Sequence, residues 1–167
     1  PPTDKASGDC GATGETPVWV KVDLNHVDLT KIPLDDTLKR ALATDDKEFR
    51  DAVGVLRGMQ TAGREEAGIF LIGLLAHSDD DWERRIRIVE ALRHFHTRGC
   101  VAFLVAELRR VKSNQASRRY LTTILGVLAY MPPELTRSEF LALAEDRHFS
   151  YKMRAKFENI LYDMSTD

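Results

Sequence analysis

The sequence lacks the features that define several protein classes. Its 167 residues include only two cysteines, Cys10 and Cys100, too few for a disulfide framework or a four-thiolate metal site. A single bridge between them in an oxidising compartment stays open. The longest apolar run, Ala67–Ala76, is about half of the roughly 20 residues that span a bilayer. The formal net charge of −2 indicates neither a nucleic-acid binder nor an acidic tail.

Motifs that carry known chemistry are also missing. The chain has no glycine-rich phosphate loop, no Gly-x-Ser-x-Gly and no His-Glu-x-x-His. The acidic runs at 35–36 and 79–81 precede predicted helices, where the helix dipole favours negative charge. We therefore predict no cofactor and no enzymatic activity from motifs.

The composition of the remaining chain is that of a globular protein, with 43% hydrophobic and 30% charged residues. Residues 1–17 are rich in glycine, serine, threonine and aspartate, which predicts a disordered tether. Residues 18–45 are predicted to form an extended arm followed by a short helix at Thr37–Ala43. The arm is predicted because apolar and polar residues alternate over Val18–Leu24. Such a tether is typical of exported or periplasmic bacterial proteins, which is our expectation; a cytoplasmic location stays open.

From residue 46 onward the sequence repeats. Arginines recur at spacings of 35, 34 and 35 residues. Three of the four residues that stand four positions before them are helix-capping or turn types, and Asn114 sits beside the exception, Gln115. Apolar residues follow each arginine at helical spacing, which predicts a first helix in each unit. A second helix is predicted in the first three units, at Arg64–Ala76, Arg98–Val111 and Glu134–Arg147. The repeats lie near 46–78, 81–113 and 115–149, with a half-repeat cap at 150–164, in a domain spanning 46–167. The repeat residues are Arg50, Arg85, Arg119 and Arg154, with Asp46, Asp81, Gln115 and Ser150 before them.

Three short segments carry a family resemblance. Residues 81–85 (Asp-Trp-Glu-Arg-Arg), 90–92 (Glu-Ala-Leu) and 101–104 (Val-Ala-Phe-Leu) resemble the short HEAT-like repeat of the phycobilisome-lyase type. The repeat period predicts an all-α fold, an α-solenoid of about three and a half HEAT-like helical hairpins behind the short extended N-terminal arm. The resemblance covers about residues 46–164 and implies that the solenoid is right-handed. It implies first helices on the convex side, second helices lining the concave side, and a role in protein binding or scaffolding.

Each repeat arginine is expected to stabilise the stack. A planar guanidinium with five donors can bridge an aspartate, or the C-terminal carbonyls of a helix, in the adjacent repeat. Basic residues at the ends of the second helices, His77, Lys112 and His148, fit a favourable interaction with the helix dipole.

One segment has a strongly uneven charge. Residues 84–119 contain ten lysines and arginines against two glutamates. The near-neutral net charge of the whole chain therefore conceals a local excess of +8. The segment predicts a surface for an anionic partner: an acidic protein segment, a lipid headgroup or nucleic acid held through its phosphates. Several of these arginines also fit purely structural roles. The candidate partner-binding residues are Arg84, Arg87, Arg109 and Arg118 in this patch, and Glu107, Arg110, Arg137 and Glu145 at exposed positions of the concave face.

Metal or thiol chemistry has only one candidate cluster, His94, His96 and Cys100. Imidazole and thiolate suit zinc, but no further ligand nearby completes a site. The structural interpretation is that the histidines flank a buried Phe95 while Cys100 packs as a small apolar residue. Taken together, the sequence predicts a non-catalytic module that binds another protein. Phosphate or anionic-lipid binding through the cationic segment, and an enzyme around this cluster, are the alternatives.

Overall fold

The computed structural model describes residues 30–31, 33–78 and 81–166, and these residues contain eight α-helices and no strand. The prediction of an all-α fold is confirmed for this part of the chain. The predicted tether and extended arm at 1–29, and Cys10 with them, lie outside the described residues. The helices are α1 Leu34–Ala41, α2 Asp46–Thr61, α3 Glu65–His77, α4 Trp82–Ala91, α5 Arg98–Arg110, α6 Arg118–Tyr130, α7 Pro133–Glu145 and α8 Tyr151–Ser165.

Polar side chains mark where several of these helices begin. The side-chain oxygens of Asp45, Asp81, Thr97 and Ser150 each accept a hydrogen bond from the backbone N–H three residues later. Such caps satisfy N–H groups that have no partner inside the helix. Helix α7 instead begins with Pro133, whose missing N–H costs nothing in the first turn.

One predicted capping position is wrong, and the exception in the pattern is explained. Asp46 is the first residue of α2, and its neighbour Asp45 is the N-cap. Gln115 lies in the turn before α6, and the N-cap is Ser117, whose hydroxyl donates to the Lys112 carbonyl at 2.6 Å. The error at Asp46 and the exception at Gln115 have one cause: the repeat arginines do not keep a constant offset from the helix starts.

The chain divides into two compact units, Pro1–Ala67 and Gly68–Asp167, with the boundary inside α3. In the first unit α1 packs against α2, and Arg40 forms an ion pair with Glu48 at 2.9 Å. The second unit is larger. There α4 packs against α6, α5 against both α6 and α7, α6 also against α7, and α7 against α8.

Gly68 on α3 is required by a close approach of Phe95. A Cβ atom at position 68 would lie 2.7 Å from carbons of the buried Phe95 ring, whereas one at Gly73 on the same helix would meet no atom within 4 Å. We expect Gly68→Ala to destabilise the protein by about 1–3 kcal/mol through overpacking.

The matched control is Gly73→Ala, which we expect to stabilise the helix by about 0.5–1 kcal/mol because alanine lowers the backbone entropy cost. Urea unfolding of both variants measures the difference. Equal stabilisation by the two substitutions would contradict the close contact between α3 and Phe95.

Candidate functional site

A buried arginine lies at the start of α4. Asp81 caps this helix by accepting from the Arg84 N–H at 3.1 Å, and the first turn then directs Arg85 inward, where it is 3% exposed. Its Nη1 donates to the carbonyl oxygens of Leu75, at 3.2 Å, and Ser78, at the C-terminal end of α3. The guanidinium therefore joins the end of one helix to the start of the next.

The second terminal nitrogen of Arg85 binds a buried carboxylate. Nη2 donates to Glu107 Oε1 and, at 3.1 Å, to the hydroxyl oxygen of Tyr120. The Tyr120 hydroxyl in turn donates to Glu107 Oε1 at 2.6 Å. Glu107 is 4% exposed and Tyr120 is fully buried, so α4, α5 and α6 are linked by hydrogen bonds away from water.

Glu107 also holds an arginine at the surface. Arg110 donates from Nε to Oε2 at 2.6 Å and from Nη2 to Oε1 at 3.1 Å. Burial on its own would raise the pKa of Glu107. Hydrogen bonds from Arg110 and Tyr120, together with the charges of Arg85 and Arg110, outweigh burial and hold this pKa below its ordinary value. Glu107 is therefore ionised at neutral pH and balances charge on both arginines.

Aromatic rings cover the buried guanidinium. The Arg85 Cζ atom lies 4.8 Å from the centroid of the Tyr120 ring and 5.6 Å from that of Trp82, and the two ring centroids are 5.4 Å apart. Burial, and then the hydrogen bond to Glu107, raise the pKa of Tyr120 above its ordinary value. The phenol therefore stays protonated and remains a donor to Glu107.

A groove of about 500 Å³ opens beside this cluster. Trp82 and Phe103, both half-buried, contribute aromatic surface, and the largely exposed Arg110 contributes a cation. The buried Arg85–Glu107 pair lies at its base. The residues that line the groove are Ala76, Ser78, Trp82, Arg85, Phe103, Ala106, Glu107 and Arg110.

The prediction that Glu107 is an exposed residue is wrong, because its carboxylate is turned inward to Arg85 and Tyr120. Arg110, predicted beside it, is 63% exposed and lines the groove. Arg137 and Glu145 are exposed on α7 and lie outside the groove; Arg137 Nη2 approaches the Met164 carbonyl oxygen at 3.5 Å.

The four repeat arginines are not equivalent. Arg85 makes the predicted contacts with helix C-terminal carbonyls. Arg119 is exposed and forms an ion pair with Glu83 of α4 at 2.9 Å. Arg50 is exposed, and Arg154 is half-buried. Because α6 begins after Ser117, its inward-facing position in the first turn is occupied by Tyr120 rather than by Arg119.

The cationic segment 84–119 is partly neutralised. Arg87 and Arg118 are exposed on α4 and α6, whereas five of the ten cations form ion pairs with carboxylates of the described residues. These ion pairs reduce the local excess of positive charge but do not remove it. The pairs are Arg84 with Asp81 at 3.4 Å, Arg85 and Arg110 with Glu107, Arg109 with Asp146 at 3.3 Å, and Arg119 with Glu83.

Cys100 and the two histidines lie at the start of α5 and in the turn before it. Cys100 is fully buried, and burial raises the pKa of its thiol to about 12, the opposite of what a thiolate nucleophile needs. His94 and His96 contact the Tyr130 ring, with centroid distances of 5.4 Å and 6.3 Å. Within residues 30–31, 33–78 and 81–166, no group of three histidine, cysteine or carboxylate side chains is arranged to hold a metal ion.

Comparison with known proteins adds no relative. No protein-family model, no curated protein and no solved structure matches this chain. Among the helices α1 to α8, none is both long and apolar enough to cross a membrane. The groove and its residues are therefore the observations from which a function is argued.

Proposed function

We propose that this chain is a non-catalytic protein-interaction module, an α-solenoid of HEAT-like hairpins, and that the groove lined by Trp82, Phe103 and Arg110 is its binding surface. The observation that carries the proposal is the groove itself. Two aromatic side chains and an exposed arginine surround a concave surface, and aromatic residues and arginine are the types enriched at protein interfaces.

The packing of alternate helices supports the solenoid arrangement. Helix α4 packs against α6 and α5 against α7, as first helices and second helices of successive hairpins do in a stack. The N-caps Asp45, Asp81 and Ser117 follow one another at a constant spacing of 36 residues. The N-cap of α8, Ser150, follows Ser117 after 33 residues, so the spacing is shorter at the last repeat.

The polar groups around the groove support binding rather than catalysis. Glu107 accepts from three side chains, and Tyr120 and Arg85 are engaged with it and with one another. A catalytic acid or base must exchange a proton with a substrate, whereas hydrogen-bond partners within the protein keep the Glu107 carboxylate ionised and the Tyr120 hydroxyl protonated. Their arrangement instead fixes the shape of the groove and the position of Arg110.

A photo-crosslinking residue placed in the groove tests the proposal. We expect p-benzoylphenylalanine at Ala106, an exposed groove position, to give a defined adduct with a partner protein in source cells. The matched control is the same residue at Thr122, which is exposed on α6 and outside the groove. Mass spectrometry identifies the adduct. No adduct from position 106, or the same adduct from both positions, would contradict the proposed surface.

A further inference from the structure

We propose that the groove takes an acidic peptide segment of a partner protein, in which a carboxylate binds Arg110 and a neighbouring aromatic or large aliphatic side chain packs on Trp82 and Phe103. The inference rests on the proposed function and names the chemistry of its partner. It follows from three observations: the free edge of the Arg110 guanidinium, the apolar lining beside it, and the charge left in the groove.

Arg110 presents a fixed set of donors to the groove. One edge of its guanidinium, formed by Nε and Nη2, is occupied by the two oxygens of Glu107. An arginine has five N–H donors, so three remain, and none of them has an acceptor among the described residues. The edge formed by Nη1 and Nη2 matches the spacing of two carboxylate oxygens. Because Glu107 already orients the group, a ligand loses less entropy in ordering it.

The surface beside Arg110 is apolar. Trp82 and Phe103 are half-buried and Ala106 is exposed, so a ligand side chain can reach ring surface without displacing a core residue. Large side chains in such depressions supply most of the binding energy at protein interfaces. A carboxylate alone would leave this surface in contact with water, which is why we infer an apolar neighbour in the ligand.

The charge of the groove selects an acidic ligand over a basic one. Among the lining residues that the structure describes, Glu107 is the one carboxylate, and both of its oxygens are taken up by Arg85, Arg110 and Tyr120. A lysine or arginine of a ligand would therefore find no available carboxylate among these described lining residues and would face the cations Arg85 and Arg110. A phosphate backbone is a weaker fit, because five of the ten cations in segment 84–119 already form ion pairs with carboxylates of this chain.

A displayed library of random dodecapeptides, selected on the full chain, tests the inference. We expect enriched peptides to carry Asp or Glu within about three positions of an aromatic or large aliphatic residue. Fluorescence anisotropy of the best enriched peptide should show at least about tenfold weaker binding to Arg110→Ala, equivalent to about 1.4 kcal/mol. The Ala106→Glu variant, which adds a carboxylate at an exposed groove position, should weaken binding by at least the same factor.

The control is Arg109→Ala, which removes a neighbouring arginine of α5 that pairs with Asp146 and does not line the groove. The affinity of the Arg109→Ala variant for the best enriched peptide should stay within about twofold of the affinity of the original chain. Any one of three results would overturn the inference. The enriched peptides could lack acidic residues, or both groove variants could bind the peptide with unchanged affinity. The third result is that a single-stranded oligonucleotide binds the chain more tightly than any peptide does. An adduct at Ala106 in source cells combined with any of these results would leave the proposed interaction module standing and remove only the acidic ligand.

Discussion

Glu107→Ala is expected to lower the free energy of unfolding by about 3–5 kcal/mol, the usual cost of removing one partner from a buried ion pair. The substitution leaves the Arg85 guanidinium, 3% exposed, without its carboxylate, and removes the acceptor of the Tyr120 hydroxyl. Urea unfolding followed by circular dichroism measures the loss.

The matched control for this variant is Glu90→Ala, which removes an exposed glutamate from α4 and should change the free energy of unfolding by less than about 0.5 kcal/mol.

The stability lost in Glu107→Gln should also depend on pH. Because the folded pKa of Glu107 lies below its ordinary value of about 4.3, its stabilising effect is complete at neutral pH. The difference between Glu107→Gln and the original protein should therefore shrink as the pH falls through the folded pKa. A loss below about 1 kcal/mol for Glu107→Ala at neutral pH would contradict the buried network.

Phe157→Ala is expected to have a comparable effect, about 3–5 kcal/mol, because it removes a fully buried ring from the contact between α7 and α8. The Phe157 centroid lies 5.1 Å from that of Phe149, at an interplanar angle of 80°, and 6.2 Å from that of Phe140. Edge-to-face geometry of this kind adds to the energy of burial.

Tyr162→Ala on the same helix is the control for Phe157→Ala. Tyr162 is 70% exposed, so its truncation should cost less than about 0.5 kcal/mol. Both variants can be compared by urea unfolding under the same conditions. Similar losses for the two substitutions would mean that α8 does not pack through Phe157.

The helices could be predicted from the sequence because their cores repeat at helical spacing. The second helices predicted at Arg64–Ala76, Arg98–Val111 and Glu134–Arg147 differ from α3, α5 and α7 by no more than two residues at either end. Apolar periodicity is a local property, and it carries enough information to place an amphipathic helix. The contact of Arg85 with helix C-terminal carbonyls could also be predicted from the sequence, because its partners Leu75 and Ser78 are close to it along the chain.

The interior of the site could not be predicted in the same way. Glu107 is 22 residues from Arg85 and 13 from Tyr120, so only the packing of three helices brings them together. Glutamate is rarely buried unless it is paired, and this general tendency favoured the prediction that Glu107 is exposed. One signal was present: Glu107 follows Cys100 by seven residues and therefore lies on the buried stripe of α5. A charged residue on an apolar stripe indicates a buried partner.

The groove depends on side chains from three helices. Ala76 belongs to α3, Trp82 to α4, and Phe103 and Arg110 to α5. The sequence identified Arg110 as a candidate at an exposed position of a second helix, but the aromatic residues only as parts of the repeat pattern. Helical spacing can be counted along a chain, whereas a shared concave surface exists only after the helices pack.

The cross-link at Ala106, measured in source cells with and without Arg110→Ala, tests the central claim most directly. The account predicts a defined protein adduct on the original chain and the loss of most of that adduct in the Arg110→Ala background, with circular dichroism showing that the variant remains helical. An adduct of the same protein at undiminished yield in the Arg110→Ala background would contradict the account.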